Sequence, residues 1–266
     1  MSGSEDPFRL QKKQANSIAL GMLPELEGFL EREPDGLAYA LKVSAVGNYI
    51  DFAIRGEVDP EDVLPLLESE FVVWDYGAFK GRLGRSEKIL IVGDNAGEIA
   101  LDMILVKLLK EMGKEVIYGV KGKPILNDAT YEDAVEVGMT ELCKVIDNGS
   151  DKVGTWLEDC SGEFLKEFYG ADMVISKGQA NFETLSDADR DIFFLLVAKC
   201  EPIARETGRA EGEVYTQVQG GLGMIFLRCY GILGQWKDHV DYKLRERASQ
   251  GQEGGCCRER VWGSGA

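Results

Sequence analysis

Acidic and amide side chains follow the apolar run Lys88–Val92 in the segment 93–98 (GDNAGE). The oxygens of Asp94 and Asn95 are hard ligands of the kind that magnesium, manganese or calcium prefer. Glu98 comes one helical turn after Asp94 and can point to the same edge, although an acidic first-turn residue also complements a helix dipole. Because a helix amino terminus favours an anion, the segment predicts a metal-and-phosphate site. An Asp-Asn pair also occurs in loops for purely structural reasons.

A second polar edge lies in the segment 121–128 (KGKPILND), which follows the predicted strand Glu115–Val120. Asn127 and Asp128 end this segment, so they can lie near Asp94 if both strands belong to one parallel sheet. Asp128 also precedes a predicted helix, where an ordinary N-cap would explain it.

A third edge follows the predicted strand Met173–Ser176, where Lys177, Gly178 and Gln179 come next. A lysine at such an edge suits a phosphate, and the glycine lets backbone approach a ligand. The alternative is a solvated lysine in a turn.

Asn48 and Asp51 lie three residues apart in a predicted helix and share one face of it. They either brace the neighbouring domain or reach into the cleft as substrate contacts, and the sequence leaves both interpretations open.

The elements that position these residues alternate between strands and helices. Apolar runs predict strands at Lys88–Val92, Glu115–Val120, Lys144–Asp147 and Met173–Ser176, with helices over 98–112, 129–137, 155–169 and 188–200. Such alternation predicts a mostly parallel sheet flanked by helices, a Rossmann-like α/β core. Residues 8–70 are predicted to be helical, 75–87 to be a surface connection, and 214–218 to be a last strand.

The predicted domain organisation has three parts. We expect a helical N-terminal subdomain over 1–80, a Rossmann-like domain over 81–247 and a flexible tail over 248–266. No Gly-x-Gly-x-x-Gly or Gly-Lys-Ser/Thr motif occurs, which disfavours a dinucleotide site and a nucleotide P-loop.

Composition excludes several function classes. The formal net charge of −16, without a long Lys/Arg run, disfavours nucleic acid and anionic membranes as partners. No window approaches the roughly 18 apolar residues of a membrane span. The first residues lack a secretory signal pattern, so we expect the cytoplasm. Six cysteines without a Cys-x-x-Cys pair, and the single histidine His239, argue against a zinc cage and against His-based nucleophilic catalysis.

Three motifs in this order resemble the damage-control phosphatase family, formerly domain of unknown function family 89, and its small prokaryotic and archaeal branch in particular. They are 93–102 (GDNAGEIALD), 124–134 (PILNDATYEDA) and 177–185 (KGQANFETL), and the resemblance runs from about residue 15 to about residue 210. Many relatives of this branch open with a Cys-x-x-Cys segment, which this chain lacks.

The resemblance implies a metal-dependent phosphatase with a helical N-terminal subdomain and a Rossmann-like core. It places a divalent metal (Mn²⁺, Mg²⁺, Co²⁺ or Ni²⁺) on Asp94, Asn95 and Asp128, and a phosphate contact on Lys177 beside Gly178. The implied substrates are phosphorylated small metabolites, including sugar phosphates and nucleotide- or cofactor-like phosphates, often damaged ones.

The chemistry that this ligand set favours is attack by metal-activated water, with Asp94 or Glu98 as the base. Lys177 would neutralise charge on the phosphoryl oxygens, and the helix that begins near Ala96 would add backbone donors. A phospho-enzyme route stays open. Two other functions also stay open: an S-adenosylmethionine-dependent carboxyl methyltransferase, for which 93–97 is a poor cofactor loop, and a non-catalytic protein that binds metal or metabolite.

Overall fold

Short apolar runs form the strands of a single sheet. The computed structural model describes residues 6–49, 67, 73–198 and 223–229. Within these residues the strands are β1 Val73–Trp74, β2 Lys88–Val92, β3 Glu115–Val120, β4 Lys144–Asp147, β5 Met173–Lys177, β6 Ile192–Ala198 and β7 Gly223–Cys229. Their order across the sheet is β1-β7-β6-β5-β2-β3-β4. Strands β2 to β6 all run parallel to one another, β7 is antiparallel to β6, and β1 is parallel to β7.

Helices cover both faces of this sheet. They are α1 Arg9–Leu30, α2 Gly36–Tyr49, α3 Tyr76–Leu83, α4 Glu98–Glu111, α5 Tyr131–Val137, α6 Met139–Leu142, α7 Gly162–Gly170 and α8 Gln179–Leu185. Helices α1 and α2 pack against α4, and α1 also contacts α5. The protein is therefore a mixed α/β fold with a mostly parallel sheet flanked by helices, as its alternating pattern predicts.

Strand β2 illustrates how the two layers arise from one apolar run. Ile89 and Ile91 belong to the core that α1, α2 and α4 cover, whereas Leu90 and Val92 belong to the core on the opposite face. Successive side chains of a strand point to opposite faces, so a strand buried on both sides must be apolar throughout. This is why β2 contains no alternation of polar and apolar residues.

Most predicted elements around the site are confirmed. The bounds of β2, β3 and β4 agree with the predictions, and β5 is one residue longer. The helix predicted over 98–112 ends at Glu111, and the one predicted over 129–137 begins at Tyr131. In place of a continuous helix over 155–169, a 3-10 turn at Leu157–Asp159 precedes α7.

Two element predictions were wrong. The helix predicted over 188–200 is replaced by β6, whose residues from Ile192 to Leu196 are all buried between neighbouring strands and two helical layers. A run without a polar face has no helical period to detect. The surface connection predicted over 75–87 instead contains α3, which buries Phe79 and Leu83 despite its glycines.

Other predictions lie partly or wholly outside the described residues. The strand predicted at 214–218, the substrate contact predicted at Asp51 and the tail predicted over 248–266 all fall on such residues. The domain boundary near residue 80 stays a prediction. None of the described helices is both long and apolar enough to cross a membrane.

Candidate metal and phosphate site

The segments that follow β2 and β3 meet at one edge of the sheet. Asn95 and Asp128 form an isolated antiparallel bridge, and the Ala129 amide donates to the Asp94 carbonyl at 2.8 Å. Because β2 and β3 are parallel neighbours, their carboxyl ends emerge side by side. The structure thus brings Asp94, Asn95 and Asp128 together.

The side chains of Asp94 and Asn95 contact each other directly. Asn95 Nδ2 donates to Asp94 Oδ2 at 2.8 Å and lies 3.4 Å from Glu98 Oε2. Since the amide donates through its nitrogen, its Oδ1 is the acceptor that remains for another ligand. The pair therefore presents carboxylate and amide oxygens, which suit a hard divalent cation.

Asp128 carries a buried oxygen, Oδ2, that no hydrogen bond from the described residues satisfies. Its side chain is nearly inaccessible, and among the described residues no donor binds Oδ2. Lys121 Nζ is 3.5 Å from this atom. Burial raises the pKa of Asp128 to about 6, although Lys121 opposes the shift. A buried carboxylate oxygen without a donor fits a cation ligand.

The donor set for a metal is small. In the part of the chain that the structure describes, no group of three or more Asp, Glu, His or Cys side chains is arranged to hold an ion. The fit rests on two carboxylates and one amide, from Asp94, Asn95 and Asp128. Such a set leaves the remaining positions of a magnesium-like ion to water and substrate oxygens.

Gly178 brings the end of β5 against Asp94. Its φ is 78°, and a Cβ at this position would lie 1.9 Å from Asp94 Oδ2. Only glycine allows this backbone conformation and this approach. Gln179, predicted as a substrate contact, donates through Nε2 to Glu183 Oε1 at 2.8 Å.

Lys177 is fully buried and is surrounded by oxygen atoms. Its Nζ lies 2.5 Å from Glu98 Oε1, 2.7 Å from Asp102 Oδ1 and 3.1 Å from the Ser44 carbonyl. Burial alone would lower the pKa of Lys177, but the two carboxylates outweigh it and raise the pKa. Burial also raises the pKa of Glu98, to about 7, against the attraction of Lys177. The predicted phosphate contact and the predicted base thus form an ion pair with each other.

Asp102 completes this buried network, and it was not predicted as a site residue. It accepts hydrogen bonds from the Ser44 hydroxyl, from Tyr118 Oη at 2.7 Å and from Lys177. A lone acidic residue within the apolar face of α4 was the signal that could have found it, because unpaired buried carboxylates are rare.

Asn16 was also missed, and it connects α1 to the loop after β2. Its Oδ1 accepts from the Gly97 amide at 2.7 Å, and its Nδ2 donates to Asp133 Oδ1 at 3.2 Å. The Ala96 amide donates to the Asn127 carbonyl at 2.9 Å. The helix that begins near Ala96 was expected to add backbone donors, but the amides of Ala96 and Gly97 are already hydrogen-bonded within the protein.

The other predicted substrate contacts are only partly described. Asn48 lies near the end of α2, and a Cβ on the preceding Gly47 would be 3.1 Å from Glu98 Cγ. The backbone next to Asn48 thus approaches the Glu98–Lys177 pair. Asp51 lies outside the described residues.

The sequence of this chain is similar to those of a known protein family and of several archaeal proteins. The model of the "Damage-control phosphatase ARMT1-like domain" family matches residues 1–215. A damage-control phosphatase of Pyrococcus horikoshii is 37% identical over 209 residues, covering 77% of this chain and 71% of the relative. A damage-control phosphatase of Archaeoglobus fulgidus is 34% identical over 223 residues, with 81% and 77% covered. An uncharacterised protein of Methanocaldococcus jannaschii is 38% identical, with 80% and 73% covered.

A solved structure agrees with the sequence comparison. The crystal structure of a DUF89 family protein from Pyrococcus horikoshii matches with a TM-score of 0.72 at 35% identity, covering 85% of this chain and 76% of the other. Motifs, fold and overall similarity therefore agree, and this chain belongs to the damage-control phosphatase ARMT1-like (DUF89) family.

Proposed function

We propose that this protein is a divalent-metal-dependent phosphatase that hydrolyses phosphate monoesters of small metabolites. Relatives named damage-control phosphatases support the phosphatase role. The observation that carries the metal dependence is the Asn95–Asp128 bridge, which groups two carboxylates and an amide at the carboxyl edge of the sheet.

Asp94, Asn95 and Asp128 would hold the ion, with Mn²⁺, Mg²⁺, Co²⁺ or Ni²⁺ as candidates. When bound, such an ion polarises a phosphoryl oxygen and lowers the pKa of a water ligand. Gly178 confines the Asp94 carboxylate, because the backbone of β5 ends against it. Asn95 Nδ2 holds the same carboxylate from the other side. These contacts fix the orientation of Asp94 before any ligand arrives, which limits the cost of reorganisation.

Lys177 would supply fixed positive charge at the β5 end of the site. Glu98 and Asp102 form ion pairs with its ammonium, so the position of this charge is fixed by the protein. Asp94 or Glu98 would accept the proton of the attacking water. The substrate would be a phosphorylated small molecule, with sugar phosphates and nucleotide- or cofactor-like phosphates as the classes to compare.

The test is release of inorganic phosphate from a panel of such compounds, measured with each metal in turn. We expect metal-dependent release in the wild-type protein and its loss in Asp128→Ala. The matched control is Asp151→Ala, which removes the same charge from an exposed residue paired with Lys123. Absence of release with every metal would reject the phosphatase. Thermal stabilisation by metal or metabolite without turnover would instead favour a binding protein.

A further inference from the structure

We propose that Lys121 is a further substrate-binding residue, whose ammonium binds a phosphoryl oxygen next to the metal ligand Asp128. This inference rests on the proposed phosphatase function and deepens it. Lys121 directly follows β3, so it lies at the same edge of the sheet as Asp128 and Asp94.

The ammonium of Lys121 uses only part of its donor capacity among the described residues. Its side chain is only 3% exposed, its Nζ donates to the Gly154 carbonyl, and Asp128 Oδ2 lies at 3.5 Å, the outer limit of a hydrogen bond. An ammonium has three donors. Within the described ranges, one short partner and one long one leave donor capacity on Lys121.

Lys177, a second buried lysine at this edge, differs in that respect. It has three oxygen partners within 3.1 Å, one for each donor. Its ammonium is therefore saturated inside the protein. Of the two lysines, Lys121 is the one that can bind a phosphoryl oxygen without giving up an existing short contact.

The positive charge of Lys121 lies beside Asp128, a proposed metal ligand. A divalent ion held by Asp128 would lie close to the Lys121 ammonium, and two cations beside one buried carboxylate repel each other. An anionic phosphate bound next to both cations would offset that repulsion, because it attracts the ion and the ammonium alike. Lys121 therefore opposes metal binding when the phosphate is absent and favours phosphate binding when the metal is present.

Removing the charge of Lys121 should therefore change metal affinity and phosphate affinity in opposite directions, which can be measured. Lys121→Met is compared with Lys123→Met, which removes the same charge two residues away, where Lys123 is exposed and pairs with Asp151. Calorimetric titrations measure the affinity for Mn²⁺ alone, and for inorganic phosphate with and without Mn²⁺. We expect Lys121→Met to weaken phosphate binding about tenfold or more, with Mn²⁺ binding unchanged or tighter. Lys123→Met should change neither.

The opposite result would overturn the proposal. If Lys121 only supports Asp128, Lys121→Met weakens Mn²⁺ binding and leaves phosphate binding unchanged. Thermal melting checks that the variant folds. If it does not, Lys121→Arg replaces it, since it keeps the charge and should retain phosphate binding. A wild-type protein that binds no Mn²⁺ would count against the metal-dependent function, and the metal-free phosphate titrations would still test Lys121.

Discussion

Lys177 and Glu98 form an ion pair of 2.5 Å in which neither side chain is accessible to solvent. Asp102 lies on the same ammonium at 2.7 Å, so one buried lysine balances two buried carboxylates. Removing one partner from such a group leaves uncompensated charge in a low-dielectric interior. This buried group joins α4 to the end of β5, next to the candidate site, so it should contribute to the stability of the folded protein.

Lys177→Met should strongly destabilise the protein. The change leaves Glu98 and Asp102 buried without a counter-charge, and breaking such a pair typically costs about 3–5 kcal/mol. Urea denaturation measures the free energy of unfolding. The control is Lys80→Met, where the lysine pairs with Asp35 at the surface and the expected cost is about 0–1 kcal/mol. Equal stability of the two variants would mean that the buried group does not require the lysine.

Gly178→Ala should weaken metal binding. A Cβ would meet Asp94 Oδ2 at 1.9 Å, and the φ of 78° is strained for alanine, so the carboxylate must move. We expect about tenfold or greater loss of Mn²⁺ affinity in calorimetry. Gly21→Ala is the control, because nothing lies within 4 Å of its Cβ position in α1, and it should stabilise the protein by about 0.5–1 kcal/mol. Unchanged Mn²⁺ affinity in Gly178→Ala would place the metal away from Asp94.

Asn16→Ala should loosen the loop that contains Asp94. The substitution leaves the buried Gly97 amide without its acceptor, at an expected cost of about 1–3 kcal/mol in the free energy of unfolding. Phosphatase activity should fall with it, because Gly97 follows Asn95, a proposed metal ligand, by two residues. Lys13→Ala, an exposed change on the same helix, should affect neither quantity. Full activity in Asn16→Ala would show that α1 does not position the loop.

Glu167 should make stability depend on pH in the acid range. Hydrogen bonds from Lys88 and Lys144 lower its pKa below the ordinary value of 4.5. A lowered folded-state pKa contributes stability that is complete above pH 4.5 and is lost as pH falls through the folded-state value. Glu167→Gln should therefore cost on the order of 1 kcal/mol at neutral pH, and the difference from wild type should shrink below pH 4.5.

The control for this prediction is Glu163→Gln, which removes the same charge from an exposed partner of Lys144. Urea denaturation at a series of pH values compares each variant with the wild type. A difference for Glu167→Gln that stays constant down to the acid limit would contradict a lowered pKa.

The strands around the site were predictable because each is a short apolar run that ends at polar residues. Strands β2 and β3 have the predicted bounds, since burial on both faces requires mainly apolar side chains. The bounds of β4 also agree, although it is an edge strand with exposed residues at both ends. The same burial explains the error at β6, where a helix was predicted over 188–200. A fully buried apolar run has no polar face, so its periodicity does not distinguish a strand from a helix. Strand β7 at Gly223–Cys229, which is antiparallel to β6, was not predicted at all, since the last strand was expected at 214–218.

The sequence by itself determined which polar groups stand at the carboxyl ends of parallel strands, because strand ends are local features. It therefore identified Asp94, Asn95, Asp128 and Lys177. Only the tertiary structure decided what these groups contact. Lys177 pairs with Glu98 across 79 residues, and the Asn16 side chain binds Gly97 across 81. Hydrogen-bond partners depend on distances and angles that arise when helices pack on the sheet, and no local spacing encodes them.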